Sequence, residues 1–126
     1  MVKAIHTENA PAAIGPYSQA IQAGDFLYIS GQIPVDPKTG ELVEGIENQT
    51  NQVMKNLGEI MKEAGTDFSQ AVKFNIYLKS LDHFATVNDI YGSYLSQPYP
   101  ARACIEISKM PKDALVEMEA VVYTKA

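Results

Sequence analysis

From Ile46 the apolar residues Ile46, Val53, Leu57, Ile60, Met61 and Ala64 recur three and four positions apart, while Glu47, Asn51, Lys55, Glu59 and Lys62 fall on the opposite side. That spacing predicts a helix with one apolar stripe. Gly65 stands where a left-handed residue closes such a helix. The period then changes to two: Val72, Phe74, Ile76 and Leu78 alternate with Lys73, Asn75, Tyr77 and Lys79, the pattern of a strand with one buried face. Asp82 is placed to cap a second helix carrying Phe84, Val87, Tyr91 and Leu95 inward. This helix must stop by Gln97, because Pro98 and Pro100 remove two backbone donors.

The flanking segments read as β-structure. Tyr17 to Gln22 and Phe26 to Ser30 enclose Ala23-Gly24-Asp25, a hairpin signal in which glycine supplies the positive φ. Asp36-Pro37-Lys38-Thr39-Gly40 predicts a further turn, followed by a short extended piece near Glu41 to Val43. Ala103 to Ser108 and Leu115 to Thr124 read as the last two strands, joined through a turn at Met110-Pro111-Lys112-Asp113. The predicted order is β-β-α-β-α-β-β. Two helices cannot sandwich so broad a sheet, so the class is α+β, a single-domain mixed sheet with both helices on one face.

In the last strand Val116, Met118, Ala120 and Val122 form one apolar row, expected beneath the helices; Leu115, Glu117, Glu119, Val121 and Tyr123 form the other. The second row is half apolar and half acidic. Burial against identical subunits, with a polar site trapped between them, would satisfy both properties.

Composition narrows the function classes. At 126 residues with 46% apolar residues, the whole chain, 1–126, fits one domain with its own core. No apolar run has the length of a membrane span, and the start at Met1-Val2-Lys3-Ala4-Ile5-His6 lacks a secretory core, so the expected location is cytoplasmic with no membrane partner. A net charge of −5 with scattered lysines argues against nucleic acid as a partner. The single cysteine, Cys104, excludes an intrachain disulfide. His6 and Glu8 make half of a zinc-deaminase signature, but the P-C-x-x-C half does not occur, and no metal is expected.

The candidate chemistry centres on Arg102, the one arginine among ten cationic side chains. It is open to two readings, half of a surface ion pair or a clamp for a substrate carboxylate, since the guanidinium fork grips a carboxylate with two parallel hydrogen bonds. If the last two strands form a hairpin, Glu117 comes opposite a residue near Ile107 to Lys109, with Arg102 several ångströms along the same strand pair. A substrate carboxylate on Arg102 with a reacting carbon nearer Glu117 fits that geometry, and so does a cross-strand salt bridge or an acid turned to solvent. Cys104 can be a nucleophile, a packed small hydrophobe or a residue whose backbone matters, and no histidine near it in sequence favours the first. Ser30 suits hydrogen bonding better than attack.

The runs Asn9 to Ala20 (NAPAAIGPYSQA), Ser30-Gly31-Gln32-Ile33-Pro34, Phe84-Ala85-Thr86-Val87-Asn88, Pro100-Ala101-Arg102-Ala103-Cys104, Pro111-Lys112-Asp113 and Glu117-Met118-Glu119-Ala120 occur in that order. Together they resemble the reactive-intermediate deaminase family nearly end to end, and within it the RidA subgroup, also called YjgF-type. The resemblance implies a chorismate-mutase-like α+β fold and a homotrimer with sites between subunits. It also implies hydrolysis of 2-imino and enamine acids such as 2-iminopropanoate and 2-iminobutanoate, released by pyridoxal-phosphate dehydratases, to 2-keto acids and ammonia. Carried over, Arg102 holds the substrate carboxylate and Glu117 orients or deprotonates the attacking water. Tyr17, Ser30, Gly31, Asn88, Ala103 and Cys104 match positions that line the pocket. No cofactor or metal is implied, because a protonated imine is already electrophilic. The alternative is a non-catalytic, chaperone-like protein that binds 2-keto acids in the same cleft. A ribonuclease role, also proposed for such proteins, sits poorly with an acidic chain.

Overall fold

A computed structural model describes residues 1–125. Its strands are β1 (Val2–Ile5), β2 (Ala20–Ala23), β3 (Phe26–Gln32), β4 (Ala71–Leu78), β5 (Ala101–Glu106) and β6 (Val116–Tyr123), with helices α1 (Ile46–Glu63) and α2 (Phe84–Ser93). The order is thus β-β-β-α-β-α-β-β: the α+β class holds, but a strand precedes the predicted ones. Val2–Ile5 carries too little alternation to announce itself and becomes a strand by pairing with β2, Ile5 opposite Ala20.

The six strands form one sheet in the order β1-β2-β3-β6-β4-β5. All neighbours are antiparallel except β4 and β5, which run parallel as the two ends of a crossover through α2. This corrects the expected hairpin of the last two strands. β6 lies between β3 and β4, whereas β5 forms the far edge. The choice follows from composition: alternate residues of β6 are fully buried, whereas β5 (ARACIE) carries small and charged residues and remains mostly exposed. The connection between them contains consecutive left-handed residues, Lys112 at φ 55° and Asp113 at φ 60°.

Both helices lie on one face. Val53, Met54, Leu57, Ile60 and Met61 of α1 are fully buried with Leu27, Phe74, Ile76, Leu78, Val116, Met118 and Val122 of the sheet, so the periodicity identified the core rows of α1, β4 and β6. Gly65, at φ 79°, closes α1, and the Thr66 amide returns to the Met61 carbonyl at 2.9 Å. Two buried polar residues of α1 secure the long connection from β3: Asn56 donates to the Ile33 and Val35 carbonyls, and Gln49 donates to Val43 while accepting from the Leu115 amide.

Two local expectations are revised. Asp82 does not cap α2; Ser80 caps a 3-10 turn over Leu81–His83, accepting from the Asp82 amide, and α2 follows directly. Val72 is exposed, because a bulge between Ala71 and Lys73 shifts the start of β4 out of phase.

Candidate active site

Arg102 is the second residue of β5, not a loop residue before it, and stands in parallel register with Phe74. Phe74 faces the helices, so Arg102 leaves the sheet on the same side and meets α2. Phe84, Asn88 and Tyr91, spaced i, i+4 and i+7, form one stripe of that helix. The guanidinium carbon lies 5.5 Å from the Phe84 ring centre and 5.3 Å from that of Tyr91, and Nη1 donates to Asn88 Oδ1. Two aromatic faces hold the cation. Behind them Tyr91 packs edge-on against Phe74 at 5.1 Å, and its buried hydroxyl meets no hydrogen-bonding group of the described residues.

Among the described residues no carboxylate pairs with Arg102; the ion pairs are His6–Glu8, Lys79–Asp113 and Lys125–Asp25. The surface ion-pair reading of Arg102 therefore has no partner among the described residues. Beside the guanidinium opens a cleft of about 370 Å³ lined by Asn88, Tyr91, Gly92, Tyr99, Pro100 and Arg102, a size suited to a small ligand.

Glu117 sits elsewhere. It is in register with Tyr77 on β4, so it leaves the sheet on the side away from the helices. The carboxyl rests on the backbone of Gly31, where β3 bulges between Ile29 and Gln32; a Cβ on Gly31 would fall 2.1 Å from Glu117 Oε2. Burial, and then the charge of Glu119, push the Glu117 carboxyl above its ordinary value. Glu119 accepts from the Tyr77 hydroxyl at 2.8 Å and from Asn75 Nδ2 at 3.4 Å. The hydrogen bond to Glu119, with burial and both acidic charges, lifts the Tyr77 phenol to about 12.

The other residues named from sequence divide between these two places. Asn88 belongs with Arg102. Cys104 lies two residues on, in register with Ile76 and partly packed against the core, where burial raises its thiol and the Arg102 charge only partly opposes this. That placement matches the packed small-hydrophobe reading, and a thiol whose proton is held more tightly is a poorer nucleophile. Ala103 faces the other way, opposite Asn75. Tyr17 and Gly31 line a separate cleft of about 500 Å³ that also includes Ile14 and Lys112. The Ser30 hydroxyl is committed to the Ser18 carbonyl at 2.6 Å, a structural tie. His6 and Glu8 pair with each other at 3.2 Å on the surface.

The expected geometry, Arg102 several ångströms from Glu117 along one strand pair, is therefore corrected: within a single chain they occupy opposite faces of the sheet. Sequence reasoning also missed the aromatic bed of Phe84 and Tyr91 and the Tyr77–Glu119–Asn75 network. Both were encoded, the first in the helical spacing of α2 and the second in the alternation of β4, but the second is visible only once β4 is paired with β6.

One sheet covered by two helices on one face, with a guanidinium beside a cleft on that side and a half-buried carboxyl on the other, defines a small protein of the α+β class. The chain belongs to the family described as endoribonuclease L-PSP, whose model matches residues 7–124, and thus to the YjgF-type, reactive-intermediate deaminase group. It is 51% identical to the RutC family protein PH0854 of Pyrococcus horikoshii, over 98% of each chain. It is 48% identical to the 2-iminobutanoate/2-iminopropanoate deaminase of Mus musculus, over 94% of this chain and 89% of that one. The crystal structure of the Rid family protein YyfA from Yersinia pestis superposes with a TM-score of 0.96 at 47% identity, over 98% of this chain and 99% of the other. No helix among the described residues is long and apolar enough to cross a membrane.

Proposed function

We propose that this protein hydrolyses 2-imino acids such as 2-iminopropanoate and 2-iminobutanoate to 2-keto acids and ammonia, at sites completed between copies of the chain in a homotrimer. The observation that carries the reading is the state of Arg102: a guanidinium held by two aromatic rings and Asn88, open to a cleft, with no carboxylate of its own among the described residues. Such a group is ready for a substrate carboxylate. Kinship with a deaminase of that specificity supplies the reaction. The Arg102 cleft and the Glu117 carboxyl lie on opposite faces, so one copy's Arg102 edge must meet another copy's Gly31–Glu117 face for both to reach one substrate.

In the assembled site Arg102 anchors the carboxylate and leaves the iminium carbon toward Glu117. Water attacks that carbon as Glu117 takes its proton; the new C–O bond forms while the C=N π pair moves to nitrogen. Glu117 then returns the proton to nitrogen, the C–N bond breaks, ammonia departs, and loss of the hydroxyl proton gives the keto group. A half-buried carboxyl with raised proton affinity suits both transfers. Each charge-assisted hydrogen bond to the substrate adds roughly 1.5–3 kcal/mol, and a base contributes about 10²- to 10⁴-fold, enough for a substrate that already hydrolyses unaided.

The test is to generate 2-iminobutanoate in situ with a threonine dehydratase and follow 2-ketobutanoate while this protein is titrated in. Acceleration over the uncatalysed rate is expected; none would reject the enzyme and leave a binding protein.

A further inference from the structure

Glu119 is unused by the chemistry above, yet it is the better secured of the two acids. It follows Glu117 by two residues on β6, so both carboxyls leave the same face. Tyr77 stands in register with Glu117 and Asn75 with Glu119, but the Tyr77 hydroxyl donates diagonally to Glu119 Oε1 at 2.8 Å, and Asn75 Nδ2 donates to Oε2 at 3.4 Å. Among the described residues Glu117 receives no side-chain hydrogen bond. Two donors thus fix the neighbour, while the acid opposite Tyr77 is left free over Gly31.

The remaining groups on this face do not take over that role. Lys73 lies opposite Val121 at the far end of β4, and Lys79 is engaged by Asp113. β3 presents Tyr28 and the bare Gly31, and β5 presents Ala103 and Ile105; Lys112 lies at the rim of the Gly31 cleft. In an assembled site the incoming Arg102 would favour ionised Glu117 and weaken it as a base. A fixed negative charge beside Glu117 opposes that effect.

We propose that Glu119, held by Tyr77 and Asn75, is a positioning residue for Glu117, a fixed charge that keeps the neighbouring carboxylate basic enough to take a proton from water. Its catalytic meaning rests on the reading of Glu117 as the base. The two acids then have separate duties on one strand: Glu117 exchanges the proton, and Glu119 sets how tightly it is held.

The experiment compares the pH profile of kcat/KM for wild type, Glu119→Gln and Glu117→Gln, and follows the Glu117 carboxyl by NMR titration of carboxyl-labelled wild type and Glu119→Gln. Glutamine keeps an acceptor for Tyr77 and presents its amide nitrogen to Asn75, whose side-chain amide flips to accept it, so the hydrogen bonds are kept while the charge is lost. In Glu119→Gln the acidic limb and the NMR midpoint of Glu117 are both expected to move down by about half a pH unit or more, as for loss of a nearby like charge. A drop in rate with an unmoved midpoint would overturn the proposal and leave Glu119 merely structural. The two readings fail separately: an acidic limb that survives in Glu117→Gln rejects Glu117 as the base, while the NMR midpoint still decides whether Glu119 sets its proton affinity.

Discussion

Arg102 and Glu117 stand on opposite faces of the same sheet, Arg102 in register with Phe74 beneath α2 and Glu117 in register with Tyr77 on the uncovered side. No side-chain rotation brings them together through the sheet. The two halves of the proposed chemistry can meet only when the β5 edge of one copy closes on the Gly31–Glu117 face of another, so activity and assembly should be lost together on dilution.

Arg102→Lys keeps the charge and loses the fork. The ammonium cannot donate two parallel bonds to a carboxylate while also reaching Asn88, so kcat/KM should fall by about 100-fold or more, at the scale of one to two charge-assisted bonds. Light scattering should show the oligomer unchanged. Near wild-type turnover would remove the clamp.

Gly31→Ala places a methyl group where Glu117 Oε2 now lies. The clashing atom ends a flexible side chain, so the fold can yield at a cost of about 1 kcal/mol or less, whereas the carboxyl must leave its seat. The expected result is a melting temperature close to wild type with a kcat at least about tenfold lower, the scale of a displaced base. Equal losses in both would make Gly31 a folding residue only.

Glu117→Gln should slow turnover by about 10²- to 10⁴-fold while 2-keto acid binding, measured by titration calorimetry, persists. Stability should also change with pH. The folded carboxyl binds its proton more tightly than its ordinary value of 4.5, so wild type loses stability as pH rises from there through the raised value. Glutamine mimics the protonated form and escapes that loss. Urea melts should show the variant gaining on wild type above this window and matching it below 4.5.

Cys104→Ala should remain active within about threefold, since a thiol held protonated by burial is a poor nucleophile. Alkylation of the native protein by iodoacetamide should be slower than that of the unfolded chain. Complete inactivation of Cys104→Ala with intact fold would restore the side chain to the mechanism.

Phe74→Ala removes a fully buried ring that supports Tyr91 edge-on beneath the guanidinium. Denaturant melts should show a loss of about 3–5 kcal/mol, and the surviving folded fraction should bind 2-keto acids more weakly because the aromatic bed under Arg102 is no longer held.

Much of this was legible along the chain. The three- and four-residue period of α1, the alternation of β4 and β6 and the closure at Gly65 all follow from residue type and short-range geometry, because a helix or strand imposes its period on its own side chains. The missed strand Val2–Ile5, the false cap at Asp82 and the outward Val72 are places where local pattern was weak or a bulge changed its phase.

Strand pairing is different in kind. Whether β5 lies beside β6 or beyond β4 depends on which strand gains more by being central, a comparison among segments far apart in sequence. That comparison put apolar β6 inside and left β5 at the edge. One pairing then determined which face Arg102 occupies, which acids Tyr77 and Asn75 meet, and that the guanidinium and Glu117 point away from each other. The sequence alone singled out Arg102 and Glu117 as candidates; only the tertiary structure decided that they stand on opposite faces within one chain, since long-range pairing, not local period, sets the relation between faces.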